Sequence, residues 1–284
     1  MKKILVLFLA FLISTTIVAQ DDLLNELNSD VKTDKKVASV FKGLKIINME
    51  STKLAAKKDF YFVISHRFGS VKSGIKDLFG LDNSNIRFSF VYGFTDWLNV
   101  GLSRSSSNKT YDAHVKYRLL HQEEGKSPIT IVGFNSMEYN TGLDKVNYPL
   151  LASKHRYTVA HELLISRKFN EKFSLEASPI YLHQNFVEND LQENTQYILG
   201  LGGRYKISKR VTINAEYHAH MNRAANSMYR NPISLGVDIE TGGHVFQLHI
   251  TNAQLMNESG YITKAAGNWG KGDVFFGFNI WRVF

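Results

Sequence analysis

The sequence predicts an all-β fold, a transmembrane antiparallel up-and-down β-barrel of about 12 strands, from its last strand, its alternating segments and its connection lengths. The chain ends on residues 273–284 (DVFFGFNIWRVF), where one strand face carries Val274, Phe276, Phe278 and Ile280. Such an ending is typical of a barrel in a membrane, because one face of every strand contacts lipid and the closing strand pairs with the first. We therefore expect this segment to close a barrel.

Alternation of apolar and polar residues begins near residue 59 and recurs along the chain. In the segment 110–120, for example, one face carries tyrosines and aliphatic residues, and the other carries Asp112, His114, Lys116 and Arg118. Alternation with a period of two is the pattern of a β-strand. Strands are predicted at 59–67, 85–94, 98–104, 110–120, 128–137, 156–168, 173–183, 195–207, 211–221, 232–240, 244–252 and 273–284.

The connections between these segments alternate in length. Short ones fall at 95–97, 169–172, 208–210 and 241–243, and long ones at 68–84, 138–155, 184–194, 222–231 and 253–272, although 105–109 is short where a long loop is expected. Short periplasmic turns and long extracellular loops are expected of outer-membrane barrels. A soluble exported β-sandwich is the alternative; it also has alternating strands, but it does not predict alternating turn lengths.

The N-terminus predicts export. Lys2 and Lys3 precede an apolar run over residues 4–13, and a small residue, Ala19, stands at a plausible cleavage site. This is the pattern of a signal peptide, and the apolar run is short for a spanning helix. We expect residues 1–19 to be removed, residues 20–58 to form a periplasmic N-terminal extension and residues 59–284 to form the barrel. Within the extension, residues 37–49 are more apolar, and are expected to form either a strand or a piece tucked into the barrel mouth.

Composition and charge limit the possible roles. The chain has a formal charge of +8 and no cysteine, so it carries no disulfide framework. Its basic residues are not clustered in one stripe or helix, and export conflicts with a role on nucleic acid. No nucleic-acid partner is therefore expected.

Several segments resemble an uncharacterised family of outer-membrane β-barrel proteins, a β-barrel domain of unknown function. They are VFKGLKIIN at 40–48, HRFG at 66–69, the block FGLDNSNIRFSFVYGFTDWLNVGLSRSSSNKTYDAHVKYRLLHQ at 79–122, NWGKG at 268–272 and FGFNIWRVF at 276–284. The resemblance implies a barrel in the cell outer membrane but no activity, substrate or catalytic residue. The ending also resembles the recognition strand of outer-membrane barrels, from which Arg282 departs because an apolar residue is usual there. This resemblance implies contact with the barrel-assembly machinery through Phe276, Phe278, Ile280 and Phe284.

If the apolar faces contact lipid, the opposite faces line the lumen with charges of both signs. The residues predicted to line it include Arg87, Asp112, His114, Lys116, Arg118, Arg204, Glu216 and His218. Small eight-stranded barrels are filled by side chains and barrels of 16 to 18 strands hold an aqueous channel. A barrel of about 12 strands lies between these sizes, so both a narrow polar passage and a plugged lumen are open.

The sequence also contains residue types that occur in metal sites and in hydrolase sites. Glu216, His218 and His220 share a strand face, and Asp238 and His249 lie on the next two strands, so a metal site is conceivable. Alternate strand residues are about 7 Å apart, however, which favours ordinary lumen polarity. No acid/base pair, hydrolase elbow or catalytic trio is evident, so no catalytic, cofactor or metal residue is assigned.

The leading hypothesis is a non-enzymatic, porin-like barrel of a Gram-negative outer membrane that contacts lipid and passes or binds a small polar solute. A lipid hydrolase of the outer membrane is the first alternative, because one such enzyme is a barrel of this size. It requires serine, histidine and a carboxylate or amide to meet at the lipid face. A scaffold that docks a periplasmic partner through residues 21–49 is the second.

Overall fold

The chain folds into a closed barrel of 12 antiparallel strands, in which each strand pairs with its sequence neighbours and β1 pairs with β12. The computed structural model describes residues 36–284 except 38, 189, 190, 242 and 243. The predicted fold class is therefore confirmed. The predicted signal peptide and the predicted extension up to residue 35 lie outside the described residues.

The strands agree with the predicted segments to within three residues at every end. They are β1 (Phe60–Ser70), β2 (Ser84–Thr95), β3 (Leu98–Ser105), β4 (Thr110–Leu120), β5 (Thr130–Asn140), β6 (Tyr157–Lys168), β7 (Phe173–Gln184), β8 (Thr195–Lys206), β9 (Val211–His220), β10 (Ile233–Thr241), β11 (His244–Thr251) and β12 (Phe275–Val283). One six-residue helix, α1 (Glu258–Thr263), lies in the last long connection. Short 3₁₀ turns at Val71–Gly80, Ser107–Lys109, Ser153–Arg156 and Trp269–Lys271 lie in other connections. No described helix is both long and apolar enough to cross a membrane.

We call the end of the barrel where β1 begins and β12 ends the near end, and the opposite end the far end. The turns at the near end are short, and the connections at the far end are long except for residues 106–109 between β3 and β4. Burial alternates along the strands as the sequence pattern predicts. In β12, for example, Phe276, Phe278 and Ile280 face outward, whereas Phe275 and Trp281 face inward and are buried.

An N-terminal segment fills the near half of the lumen. We call residues 37–58 the plug. It enters beside the turn after β4, where the Val37 amide donates to the Gln122 carbonyl at 2.9 Å. It then reverses direction in a hairpin closed by a bond from the Ile46 amide to the Met49 carbonyl, and most of its residues from Val40 to Ala55 are buried. It leaves at the near end, where the Lys58 amide donates to the Gly93 carbonyl at 2.8 Å.

The plug lies in the part of the chain that was expected to form the N-terminal extension. That extension was expected over residues 20–58 and the barrel over residues 59–284, and residues 40–55 lie inside the barrel. Of the two alternatives for residues 37–49, the structure agrees with a piece tucked into the barrel mouth. The physical reason is that the wall offers buried polar groups which the plug backbone and side chains satisfy, as described below.

The far half of the lumen is filled by the connection between β11 and β12. Its helix α1 turns inward, and Tyr261 and Ile262 are fully buried. They pack against the apolar inner residues Ile180, Leu182 and Ile198. The lumen is therefore occupied from both ends by the chain itself.

Candidate functional site

The inner face of the barrel wall carries charges of both signs in buried positions. Four cationic and six acidic side chains of the described strands are under 8% exposed: Arg67, Arg87, Lys116, Arg204, Asp112, Glu138, Glu162, Glu176, Glu216 and Asp238. Buried charges are costly unless they are paired and hydrogen-bonded. Their partners therefore show how the lumen is organised.

The eight residues predicted to line the lumen all belong to strand positions that face inward. Arg87 and Asp112 form an ion pair within the wall at 2.6 Å. Arg118 lies at the near rim and donates to the Asp96 carbonyl at 3.1 Å. The other five are Lys116, Arg204 and Glu216, which contact the plug, His218, which contacts Tyr261 of α1, and His114, which packs against Phe134 of the wall.

Glu216 holds the tip of the plug hairpin. Its carboxylate accepts hydrogen bonds from three consecutive backbone amides, those of Ile47, Asn48 and Met49, each at 3.0 Å. The Asn48 amide side chain adds a fourth bond at 2.9 Å. Hydrogen bonds to an ionised acceptor are among the stronger ones in proteins. The tip is therefore fixed to β9 by one side chain.

A chain of ion pairs crosses the lumen from the wall to the far-end connection. Lys116 of β4 contacts Glu50 of the plug at 2.7 Å, Glu50 contacts Lys45 at 2.7 Å, and Lys45 contacts Glu258 of α1 at 3.1 Å. Burial by itself raises the pKa of Glu50, but Lys116 and Lys45 outweigh it and hold that pKa well below its usual range. Glu50 is therefore ionised, and it links the wall, the plug and the far-end connection.

The seam between β1 and β12 also holds the plug. Arg67 of β1 donates to the Asn48 side-chain oxygen at 2.8 Å and to Asn279 of β12 at 3.1 Å. Asn279 in turn donates to the Ile47 carbonyl at 3.0 Å. Apolar contact adds to these bonds where Leu44 packs against Trp281. Both strands of the seam thus contact the hairpin.

Three further wall residues satisfy plug backbone groups. Gln247 donates to the Ile46 carbonyl at 2.5 Å, and Arg204 donates to the Val40 carbonyl at 2.8 Å. Glu176 accepts from the Thr52 amide at 2.9 Å. Much of the polar wall is thus paired with the plug instead of with other parts of the wall.

Little open space remains inside. An enclosed cavity of about 20 Å³ lies between the plug and β1 to β4, and one of about 30 Å³ lies inside the far mouth. Each has room for about one water molecule. A cavity of about 150 Å³ at the near mouth lies beside Arg118 and His121. Two larger hollows, of about 720 and 650 Å³, are on the outer surface. Of the two alternatives left open by the sequence, the structure shows the plugged lumen.

The residues considered for a metal site are separated by other contacts. Glu216 is hydrogen-bonded to the plug, and Asp238 accepts from Gln247 at 2.6 Å. His218 packs against the ring of Tyr261 at 5.2 Å between centroids. Within the described part of the chain, no group of three or more histidine, aspartate or glutamate side chains is placed to hold a metal ion.

The lipid face brings together two of the three groups that a hydrolase requires. The His161 ring lies 2.5 Å from the Asn135 side-chain oxygen, and Asn135 donates to the Tyr117 hydroxyl at 3.2 Å. The strands that carry His161 and its neighbours also contain serines, but Ser136, Ser166, Ser174 and Ser178 are all buried on the inner face. The hydroxyl that meets the pair is therefore a phenol, and no serine nucleophile is positioned there.

Comparison with known proteins identifies the family. Residues 41–284 match the family described as "Membrane bound beta barrel domain (DUF5777)". The chain belongs to this family. The match begins within the plug, so the plug from residue 41 onward is part of the family's domain. No curated protein sequence matches the chain.

Solved outer-membrane barrels share the fold at low sequence identity. The NanC porin is 8% identical, with a TM-score of 0.50 over 79% of this chain and 98% of that chain. The KdgM porin is 9% identical, with a TM-score of 0.48 over 78% and 99%. The outer membrane phospholipase A from Escherichia coli is 11% identical, with a TM-score of 0.46 over 81% and 94%. At these identities the likeness concerns the fold alone.

The residues that sequence reasoning missed lie mainly in the plug. Lys45, Asn48 and Glu50 were not predicted as lumen residues, because their segment lacks strand alternation. The segment VFKGLKIIN was nevertheless among those that carry the family resemblance, and this signal could have placed it within the domain. Arg67 was predicted as the last residue of the first strand and was not among the predicted lumen residues, but β1 continues to Ser70 and Arg67 is buried in the lumen.

Proposed function

We propose that this protein is a channel of the outer membrane that its own plug closes, and that it passes or binds a small polar solute when the plug leaves the lumen. The observation that carries the proposal is the pairing of buried wall charges with the plug. Lys116, Glu176, Arg204 and Glu216 all bond to plug atoms. The proposed role is non-enzymatic.

The polarity of this interface supports a removable plug. A buried ion pair is often no more stabilising than a well-packed apolar contact of similar volume. A barrel sealed permanently therefore gains little from charges between its wall and its filling. A barrel that opens gains more, because water can solvate the same wall charges after the plug has left. The open lumen would then be a polar, water-filled passage.

The orientation follows from the position of the short turns. In outer-membrane barrels the short turns lie in the periplasm and the long loops lie outside the cell. The plug enters and leaves at the near end, which has the short turns. We therefore place its entrance on the periplasmic side, and we place the ion pair from Lys45 to Glu258 between the plug and an extracellular connection.

The outer face completes the proposed placement. Phe276, Phe278 and Ile280 face outward along β12, and Phe284 is 62% exposed at the near end. We propose that these residues contact outer-membrane lipid and are recognised by the barrel-assembly machinery. Deleting Phe284 is expected to lower the amount of assembled barrel, measured by heat-dependent gel mobility, whereas replacing Phe284 by Tyr is expected to leave it unchanged.

A disulfide lock tests whether the plug must move. The chain has no cysteine, so introduced pairs are free of competing thiols. The hydroxyls of Thr52 in the plug and Ser166 in the wall are 2.5 Å apart, which makes Thr52→Cys with Ser166→Cys a suitable lock. Ser89 and Ser103, which are paired across β2 and β3 and buried on the inner face, give the matched control pair within the wall.

Conductance in a planar bilayer is the readout, with moderate urea added to release the plug. The Thr52–Ser166 variant is expected to show discrete openings when reduced and none when oxidised, whereas the wall pair opens in both states. Openings that persist in the oxidised lock would show that current does not depend on plug movement. A folded barrel that stays silent under every condition would contradict a channel. In open channels, Lys116→Glu and Arg204→Glu are expected to shift ion selectivity toward cations.

A further inference from the structure

A polar cluster on the outer face of β4 to β6 is not used by the proposed channel. Leaving aside the two residues at each end of a strand, outward positions of the described strands carry apolar side chains, tyrosine, glycine or proline, with three exceptions: His66, Asn135 and His161. His66 lies against the rings of Phe68 and Phe278. Asn135 and His161 are instead bonded to each other.

The cluster lies deep in the membrane-facing surface. Asn135 is the central residue of the eleven-residue β5, so about 16 Å of strand separates it from either end. At this depth the membrane is hydrocarbon and contains neither water nor lipid head groups, so polar side chains there need a protein partner. Polar side chains in such a position therefore require an explanation beyond the stability of the barrel.

The hydrogen bonds of the cluster leave both a donor and an acceptor facing outward. The Asn135 oxygen accepts from Nδ1 of His161, so Nε2 of the neutral ring is an acceptor, and no described residue of this chain is bonded to it. The Asn135 amide gives one hydrogen to the Tyr117 hydroxyl, which leaves its second hydrogen and the phenol proton available. The cluster thus presents one vacant acceptor beside two vacant donors.

A hollow of about 650 Å³ accompanies the cluster. It exists because Gly133 and Pro179 are short, while Leu163, Tyr197 and Met221 stand around them. Tyr197 and Met221 are both more than half exposed. The surface therefore has a depression and protruding side chains next to one another.

We propose that this surface, centred on Asn135 and His161, is the contact between two copies of this chain within the membrane. A patch that holds donors and acceptors side by side can pair with itself about a two-fold axis. An axis along the membrane normal keeps the cluster at the same depth in both copies. The donors of each copy then meet Nε2 of His161 in the other, and Tyr197 or Met221 of each can enter the opposite hollow. This inference is independent of whether the lumen opens.

Cysteine crosslinking in the native membrane tests the contact. Leu163→Cys places a thiol beside the cluster, on the same face of β6 as His161, and Leu248→Cys places the control thiol outward on β11. Leu163→Cys is expected to give disulfide-linked dimers, with about a tenth as many or fewer from Leu248→Cys. Adding Asn135→Leu and His161→Leu is expected to lower dimer yield by about tenfold or more, as the loss of two hydrogen bonds implies. Adding His66→Leu, the matched polar-to-apolar change on β1, is expected to leave the yield unchanged.

Three results would overturn the proposal. They are equal crosslinking from Leu163→Cys and Leu248→Cys, dimers that survive the Asn135→Leu and His161→Leu changes, and a monomer that retains a lipid in native mass spectrometry until those residues are replaced. The last would assign the cluster to a lipid. Apolar replacements at lipid-facing sites do not impede insertion, and heat-dependent gel mobility verifies folding in each variant.

Discussion

Replacing Glu50 by glutamine tests the ion-pair chain that fixes the plug. Glu50 is 3% exposed and contacts both Lys116 and Lys45 at 2.7 Å. Glutamine keeps the volume and one acceptor but removes the negative charge. Lys45 would retain Glu258, whereas Lys116 would lose its anionic partner and keep neutral acceptors, such as the Leu44 carbonyl at 3.0 Å.

The expected effect on plug docking is large. Removing one partner of a buried ion pair costs about 3 to 5 kcal/mol, because the remaining charge stays buried without compensation. Since about 1.4 kcal/mol corresponds to a tenfold change in an equilibrium constant, 3 kcal/mol raises the open fraction by about a hundredfold. The pairs within the wall, such as Arg87 with Asp112, are untouched, so the barrel itself is expected to remain folded.

The assay is single-channel conductance, with Glu240→Gln as the matched control. Glu240 pairs with Lys42 of the same plug at 2.6 Å, but both side chains are 34% exposed. Pairs with this exposure contribute about 1 kcal/mol or less, so at most about a fivefold rise in open probability is expected. Both variants remove one negative charge from the plug interface, so a difference between their open probabilities reports the effect of burying the ion pair.

Equal open probabilities for the two variants would refute the reasoning. So would a Glu50→Gln barrel that folds and stays as closed as the natural chain. A second variant tests whether the uncompensated charge causes the opening. Glu50→Met with Lys116→Met removes both charges and replaces them with apolar groups of similar length. It is expected to restore closure, since replacing a buried pair as a unit is often neutral or stabilising.

Three further outcomes are expected. Because the pKa of Glu50 is held below its usual range, its stabilisation of the closed state is complete at neutral pH and is lost as pH falls below about 4.3. Burial raises the pKa of Glu258, so Glu258 takes up a proton at a higher pH than Glu50 does. Current measured against pH should therefore rise only in the lower pH range, where Glu50 takes up its proton. Glu216→Ala removes the acceptor of three buried amides, so hydrogen exchange at residues 47–49 should accelerate by about a hundredfold, with amides of β7 unchanged. Trp281→Ala leaves a cavity beneath Leu44 and should lower the free energy of unfolding by about 3 to 5 kcal/mol, measured in urea; a loss under about 1 kcal/mol would show that this contact contributes little.

The strands could be predicted because barrel geometry leaves a local trace in the sequence. Each strand has one face in lipid and one in a polar lumen, so its pattern repeats every second residue whatever its distant neighbours are. This pattern can be read from single segments: Phe276 and Phe278 are on the opposite face to Asn279 in β12, and Tyr111 is on the opposite face to Asp112 in β4. The inward orientation of Lys116 and Glu216 follows from the same period.

The plug hairpin could not be predicted in this way because it lies inside the barrel and has no alternation of lipid-facing and lumen-facing residues. Ile46, Ile47 and Met49 are all fully buried although they are adjacent, so their burial has neither a strand nor a helix period. Its polar contacts join residues far apart in the chain, as Glu50 and Lys116 do. A sequence shows that such charges exist, but only the closed cylinder shows which of them meet.

The attachment of the plug to β1 has a consequence for how an opened pore recovers. Residues 56–59 join the hairpin directly to the first strand, and the Lys58 amide is bonded to the Gly93 carbonyl at the rim. A plug that leaves the lumen therefore remains tethered at its exit, and its return is a first-order event at a local concentration of millimolar order. Closing needs neither a second molecule nor an input of energy, whereas opening has to be driven. A separate plug peptide added to a barrel without a plug would need a concentration of the same millimolar order to block the barrel to the same extent.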